Sequence, residues 1–106
     1  MFSIFGKNNF ESISVHDLGE KHGKINLIDV RESYEYKAGH VPNARNIPMG
    51  VVLEEPEKYL NKSMEYHVIC QSGSRSSRTC RKLSSLGYNV VNVSGGTGSY
   101  ILPLKR

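Results

Sequence analysis

Cysteine is scarce in this chain: Cys70 and Cys80 are the two in 106 residues. Two are too few for a disulfide framework, so the fold must rest on an apolar core. No apolar run approaches the ~20 residues of a membrane-spanning helix. The opening stretch, Met1-Phe2-Ser3-Ile4-Phe5-Gly6-Lys7, lacks the basic n-region and long h-region of a secretory signal. These absences point to a reducing, cytoplasmic setting in which a thiol persists. Repeats, low-complexity tracts and linker-like stretches are missing too. A chain of this length is expected to form one domain over residues 1–106, with 1–10 as a loose lead-in. It can bury roughly two-thirds of its unfolded surface. Formal net charge is +4, but the charges are scattered and aromatics do not interleave with them. That pattern argues against a nucleic-acid surface and leaves a modest positive field suited to small anions.

What is present is an alternation of strand-like and helix-like segments. Ser12-Ile13-Ser14 reads as a short first strand, and Ser14 can cap a helix from Val15 to about Lys21. Asn26-Leu27-Ile28-Asp29-Val30 is nearly continuous in apolar residues, as buried parallel strands are. Ser33 can cap a brief helix through Tyr36-Lys37, stopped by Gly39. Arg45-Asn46-Ile47 is a short strand closed by Pro48, and Val51 to Leu60 is helical in tendency, with Pro56 breaking it into pieces. Tyr66–Ile69 and Asn89–Val93 are further strands; between them Ser74–Leu86 is a helix with Gly87 as its terminator. This order predicts an α/β domain with a mainly parallel sheet. Ligands of such sheets bind beyond the carboxyl ends of the strands, where Asp29, Cys70 and Ser94 fall.

The run Cys70-Gln71-Ser72-Gly73-Ser74-Arg75-Ser76 joins a strand to a helix N-terminus. A free thiol has a pKa near ~8.5, and a helix N-terminus or adjacent cations bring it to about 3.5–7.5. Gly73 allows a tight bend, small Ser72 and Ser74 leave space above the sulfur, and successive amides can form an anion nest. Arg75 adds a fixed charge with a planar fork of donors. Ser76, Thr79, Cys80, Leu83 and Leu86 recur at helical spacing and are expected on the buried face of the helix. Arg75, Arg78, Arg81 and Lys82 crowd its beginning and middle, where cations oppose the helix dipole by about a few tenths of a kcal/mol each. Positive charge wanted beside Cys70 explains Arg75. A solvated basic face explains Arg81 and Lys82.

These residues resemble the rhodanese family of single-domain sulfurtransferases over roughly Ile13 to Tyr100. The likeness rests on three ordered blocks. The first is Leu27-Ile28-Asp29-Val30-Arg31 with Glu32, Tyr34-Glu35 and Gly39-His40-Val41-Pro42-Asn43-Ala44. The second is Asn46-Ile47-Pro48; the third is Cys70 through Ser76, with Gly95-Gly96 after the last strand. The resemblance implies a three-layer α/β/α domain whose central sheet has about five strands. It also implies a Cys70 persulfide, loaded from thiosulfate or a persulfide donor, held by the amides of Gln71 through Arg75, and discharged to cyanide or a thiol. Residues Gln71, Ser72, Gly73, Ser74, Arg75 and Ser76 are then the substrate-binding set, with no metal or organic cofactor. In this family four residues separate cysteine from arginine, whereas the related phosphatases have five; Gln71 through Ser74 makes four. The smaller cradle suits a sulfane sulfur and disfavours a phosphoryl group.

Supporting roles follow from the same likeness. Glu35 stands at an acidic position that can pair with the loop arginine, and Asp29 can tie down the neighbouring loop. Arg31 either meets an anionic donor or forms a surface ion pair. His40 is architectural, holding the Gly-His-Val-Pro turn. His16, His22 and His67 have no zinc-ligand spacing with Cys70 or Cys80, and Cys80 reads as a core thiol. Tyr100 occupies a position that is often Trp in the family, and the Ile101-Leu102-Pro103-Leu104 tail departs from the usual one. The partners implied are a small anionic sulfur donor, a thiol acceptor and, in a relay, another protein; neither nucleic acid nor membrane is. A sulfur-carrier or docking module is the alternative, followed by a cysteine phosphatase or arsenate reductase. The enzymatic reading requires inward-facing loop amides and a thiol that solvent can reach.

Overall fold

Contiguous apolar runs build the sheet. Strands β2 (Asn26–Asp29), β4 (Glu65–Ile69) and β5 (Asn89–Ser94) bury every side chain except their first residue and, in β5, the last, as strands covered on both faces do. β1 (Glu11–Ser14) and the two-residue β3 (Arg45–Asn46) form the edges. The structure is a computed structural model that describes residues 10–21 and 23–106. The expected loose lead-in therefore lies largely outside the described residues, although Phe10 packs against the core. The five strands run β1-β5-β4-β2-β3 and all pairs are parallel. The register sets Asp29 beside Ile69 and Asn46, and Ser14 beside Ser94. One end of the sheet thus collects the residues that precede the reactive loop.

Helices cover both faces. On one, Ile28, Val68 and Val90 meet Val52 of α3 (Met49–Glu54) and Cys80 and Leu83 of α4 (Ser74–Ser85). On the other, Leu27, Ile69 and Val93 meet Leu18 of α1 (Leu18–Lys21), with Val41, Ala44 and the half-buried Tyr36 of α2 (Ser33–Ala38). This is the three-layer α/β/α arrangement expected from the alternation of elements.

Three local expectations change. The helix from Val15 begins as a 3-10 turn, Val15–Asp17, before α1, with Ser14 accepting from the His16 N–H. Ser33 does not cap α2 but is its first residue. Glu32 takes the cap position, and the Glu35 carboxylate accepts the Glu32 N–H at 2.9 Å, a reciprocal box that supplants a serine cap. The 51–60 segment is broken at Pro56 as expected, into α3, which already begins at Met49, and a 3-10 turn at Pro56–Lys58. Leu86 is 39% exposed rather than buried. The helix ends at Ser85, and the positive-φ Gly87 turns the chain before the helical period can carry Leu86 inward.

Leu83 is 1% exposed and fills the space between α4 and the sheet. Leu83→Ala should lower unfolding stability by about 2–5 kcal/mol, as a buried leucine truncation does. Urea denaturation measures this, and an unchanged midpoint would place Leu83 outside the core.

Candidate active site

Cys70 directly follows β4, and the chain then turns through Gly73 (φ +109) into α4. The turn brings two backbone donors onto the sulfur: Gly73 N–H at 3.1 Å and Ser76 N–H at 3.2 Å. The thiol lies 3.4 Å from the Ser76 hydroxyl. Burial alone would push the Cys70 pKa up. The Ser76 hydroxyl and the N–H groups of Ser76, Gly73 and Ser72 outweigh it, and the thiol lies below its ordinary value. The amides of Gln71, Ser74 and Arg75 are not spent on Sγ, and no other protein group among the described residues engages them.

Three tethers hold this loop. Arg31 and Asp29 form a buried ion pair at 2.9 Å, in place of the surface pair considered from sequence. The Arg31 guanidinium also donates to the Gly39 carbonyl at 2.8 Å and to the Gln71 side-chain carbonyl at 3.2 Å. It therefore braces the loop and is not open to an incoming anion. Arg75 makes a two-pronged bond to Glu35 at 2.8 and 3.0 Å. Its fork is committed to Glu35 on α2, the pairing with the loop arginine expected of that carboxylate. The Arg75 hydrogen bond holds the Glu35 carboxyl down at about 2, with burial opposing and the Glu32 N–H assisting. The third tether is the turn after β5. Thr97 N–H donates to the Cys70 carbonyl and Gly98 N–H to the Gln71 carbonyl, both at 2.9 Å.

That turn is the functional element the sequence did not reveal. Gly96 lies at φ +65, ψ −169, a region essentially confined to glycine. A Cβ there would stand 2.5 Å from the Gln71 carbonyl oxygen and 2.6 Å from that of Cys70. The Gly-Gly pair, read from sequence as a chain break and a family mark, is where two backbones touch. Only its position after the last strand hinted at this.

The remaining expected residues divide. Ser72 and Ser74 are exposed at the mouth, while Ser76 is fully buried. Cys70 itself is 1% exposed, so the thiol is not open to solvent as the enzymatic reading required; the loop closes over it. Cys80 is buried in the core, and burial pushes its thiol up to about 12. His40 stacks on Tyr36 with ring centroids 3.7 Å apart, and its Nδ1 lies 2.9 Å from the Tyr36 carbonyl, an architectural position. His22 lies outside the described residues. No His, Cys, Asp and Glu cluster among the described residues could hold a metal ion, and none of their helices is long and apolar enough to cross a membrane. Tyr100 packs partly against the Val15 and Val93 core, and the tail pairs Lys105 with His40 through two backbone bonds.

The rhodanese-like domain model matches residues 14–101. The chain belongs to the rhodanese-like domain family. Over 73 residues this rhodanese-like chain is 45% identical to a Bacillus subtilis protein named "Putative sulfurtransferase YtwF", covering 69% of this chain and 70% of that one. It is 40% identical over 73 residues to "Putative sulfur carrier protein YrkF" of the same organism, covering 68% of this chain but 39% of YrkF. Among solved structures it resembles SSP1007 from Staphylococcus saprophyticus, with TM-score 0.83, 35% identity, and coverage of 92% of this chain and 100% of that one.

Two outcomes follow from the tethers. Gly96→Ala should cost about 1–3 kcal/mol from its backbone conformation alone and should also displace the Cys70–Gln71 carbonyls. Alkylation of Cys70 should then lose its low-pH reactivity. Gly95→Ala is the milder comparison, because its Cβ would meet only side chains, at 3.3 Å. An unaltered Gly96→Ala alkylation profile would show that the turn does not shape the loop. For Glu35, the folded carboxyl titrates below its unfolded value. The stability it contributes is complete above pH 4.5 and is lost as pH falls towards about 2. The stability gap between wild type and Glu35→Gln should close across that window in acid titrations monitored by circular dichroism. A gap that persists at the acid end would exclude the ion pair as its source.

Proposed function

We propose that this rhodanese-like domain moves a sulfane sulfur from thiosulfate or a persulfide donor to a thiophilic acceptor through a persulfide on Cys70. The observation that carries the reading is the Cys70 sulfur under the N–H groups of Gly73 and Ser76, which favours the thiolate as nucleophile. In the first half-reaction the thiolate attacks the outer sulfur of the donor. The donor's S–S bond breaks and its remainder, sulfite from thiosulfate, leaves with the electron pair. In the second, cyanide or a thiol attacks the outer sulfur of the persulfide, and Cys70 departs as thiolate. The unengaged amides of Gln71, Ser74 and Arg75 are suited to the negative charge on the outer sulfur. Four residues between Cys70 and Arg75 leave a cradle of sulfur rather than phosphoryl size. Because Cys70 is 1% exposed, the reading requires the donor's outer sulfur to reach it past the exposed side chains of Ser72 and Ser74 at the mouth of the loop.

Incubation with thiosulfate, glutathione persulfide and cysteine persulfide, followed by mass spectrometry, should add about 32 Da, one sulfur atom, to Cys70. Cys70→Ser should abolish the adduct. Absence of the adduct with every donor, with Cys70 still reduced, rejects the reading. Iodoacetamide labelling of Cys70 should titrate below the ~8.5 of a free thiol; a midpoint at or above that value means the loop amides do not stabilise the thiolate.

Delivery of the sulfur to another protein is the second reading, favoured by the likeness to YrkF, whose name describes a sulfur carrier. Rapid single-turnover donation to a protein thiol alongside slow small-molecule turnover would select it. Turnover of a phosphotyrosine analogue that disappears in Cys70→Ser would instead assign a phosphatase.

A further inference from the structure

The Ser76 hydroxyl stands between two acceptors. It is 3.4 Å from the Cys70 sulfur on one side and donates to the Gly73 carbonyl at 3.1 Å on the other. The Gly73 carbonyl has a second donor, Ser77 N–H at 3.0 Å, so it stays satisfied when the hydroxyl turns away. Ser76 is fully buried at the first turns of α4, and its own N–H is anchored on the same sulfur. The side chain thus has two orientations to choose from within the buried turn.

The ionisable groups around the loop largely cancel. At the end of β2, Asp29 and Arg31 neutralise each other. From α2, Glu35 neutralises Arg75 of α4. Cys80, also on α4, remains a neutral thiol, and the turn from Gly95 to Gly98 contributes no ionisable group. With fixed charges paired off, hydrogen-bond dipoles decide whether the sulfur is protonated.

We infer that the Ser76 hydroxyl is a rotor that follows the charge on Cys70: it bonds Gly73 O while the sulfur is protonated and turns onto Sγ when the sulfur is ionised. In the thiol form the S–H donates to Ser76 Oγ, which donates to Gly73 O. On ionisation the Cys70 proton leaves to solvent base, Ser76 keeps its own, and its O–H swings onto the anionic sulfur. When the outer sulfur arrives, the charge moves outward to it and the hydroxyl returns to Gly73 O. The inference rests on Cys70 being the nucleophile of the proposed reaction. It assigns Ser76 to the thiolate rather than to the substrate, where the sequence likeness put it.

The test is alkylation of Cys70 against pH in Ser76→Ala and Ser76→Thr, with thiolate ultraviolet absorbance as a second readout and thermal melts to confirm folding. In Ser76→Ala the midpoint should rise by about one pH unit, equivalent to about tenfold less thiolate at a fixed pH below both midpoints. The alkylation rate on the high-pH plateau should not fall, since the fully ionised sulfur is at least as nucleophilic at higher pKa. Ser76→Thr, which keeps the hydroxyl, should restore the midpoint. A folded Ser76→Ala with an unshifted midpoint overturns the inference, as does a folded Ser76→Thr that shifts like alanine. If neither variant folds, Ser76→Gly removes the hydroxyl without adding a titratable group, and its midpoint should rise as in Ser76→Ala; a wild-type midpoint there overturns the inference too. None of these readouts needs sulfur transfer. A failed persulfide assay with a shifted midpoint refutes the proposed reaction alone, and the converse refutes the rotor alone.

Discussion

The Asp29–Arg31 pair is the junction on which the site's geometry depends. Arg31 and Asp29 are 3% and 0% exposed. Arg31 Nε shares both Asp29 oxygens, and the Arg31 backbone N–H takes one of them as well. The same guanidinium reaches the last turn of α2 at Gly39 and the reactive loop at Gln71. Asn46 closes the arrangement by donating to the carbonyls of both Asp29 and Arg31. A buried pair of this kind adds little net stability, because desolvation offsets attraction, but losing one partner strands a charge. Its contribution here is definition: a single donor fork fixes the end of β2, the end of α2 and the mouth of the loop relative to one another.

The electrostatics of the site follow from that economy of charge. Both arginines that approach the loop are committed to carboxylates, so the sulfur meets backbone and hydroxyl dipoles instead of a bare cation. The backbone dipoles among them, Gly73 N–H and Ser76 N–H, are set by a tight turn and a helix start, and need no reorganisation when negative charge develops beside them. A guanidinium left free would attract anions of many kinds. The paired arrangement leaves recognition to the shape of the loop.

Much of this was legible in the residues. Strands β2, β4 and β5 were visible because complete burial leaves an uninterrupted apolar run, and α4 because its buried positions keep the helical period. The loop was visible because its chemistry is contiguous, Cys70 to Ser76. What escaped was long-range. The Arg31–Gln71 and Arg75–Glu35 contacts each span 40 positions; family likeness suggested the second, and nothing local suggested the first. The approach of Gly96 to the Cys70 and Gln71 carbonyls depends on two strands ending side by side. Leu86 was misplaced because periodicity carries no information about where a helix stops.

The pairing of β1 with β5 sets Glu11 against Val91, eighty positions apart in the chain. During vectorial synthesis the first strand therefore has no neighbour until the last has left the ribosome. Sheets assembled from such distant segments close late and slowly, since loop entropy is spent before any contact repays it. The Gly95–Gly98 turn follows β5 directly, so the reactive loop acquires its backing only in that final step. A nascent chain lacking β5 would carry Cys70 without the turn whose N–H groups hold the Cys70 and Gln71 carbonyls.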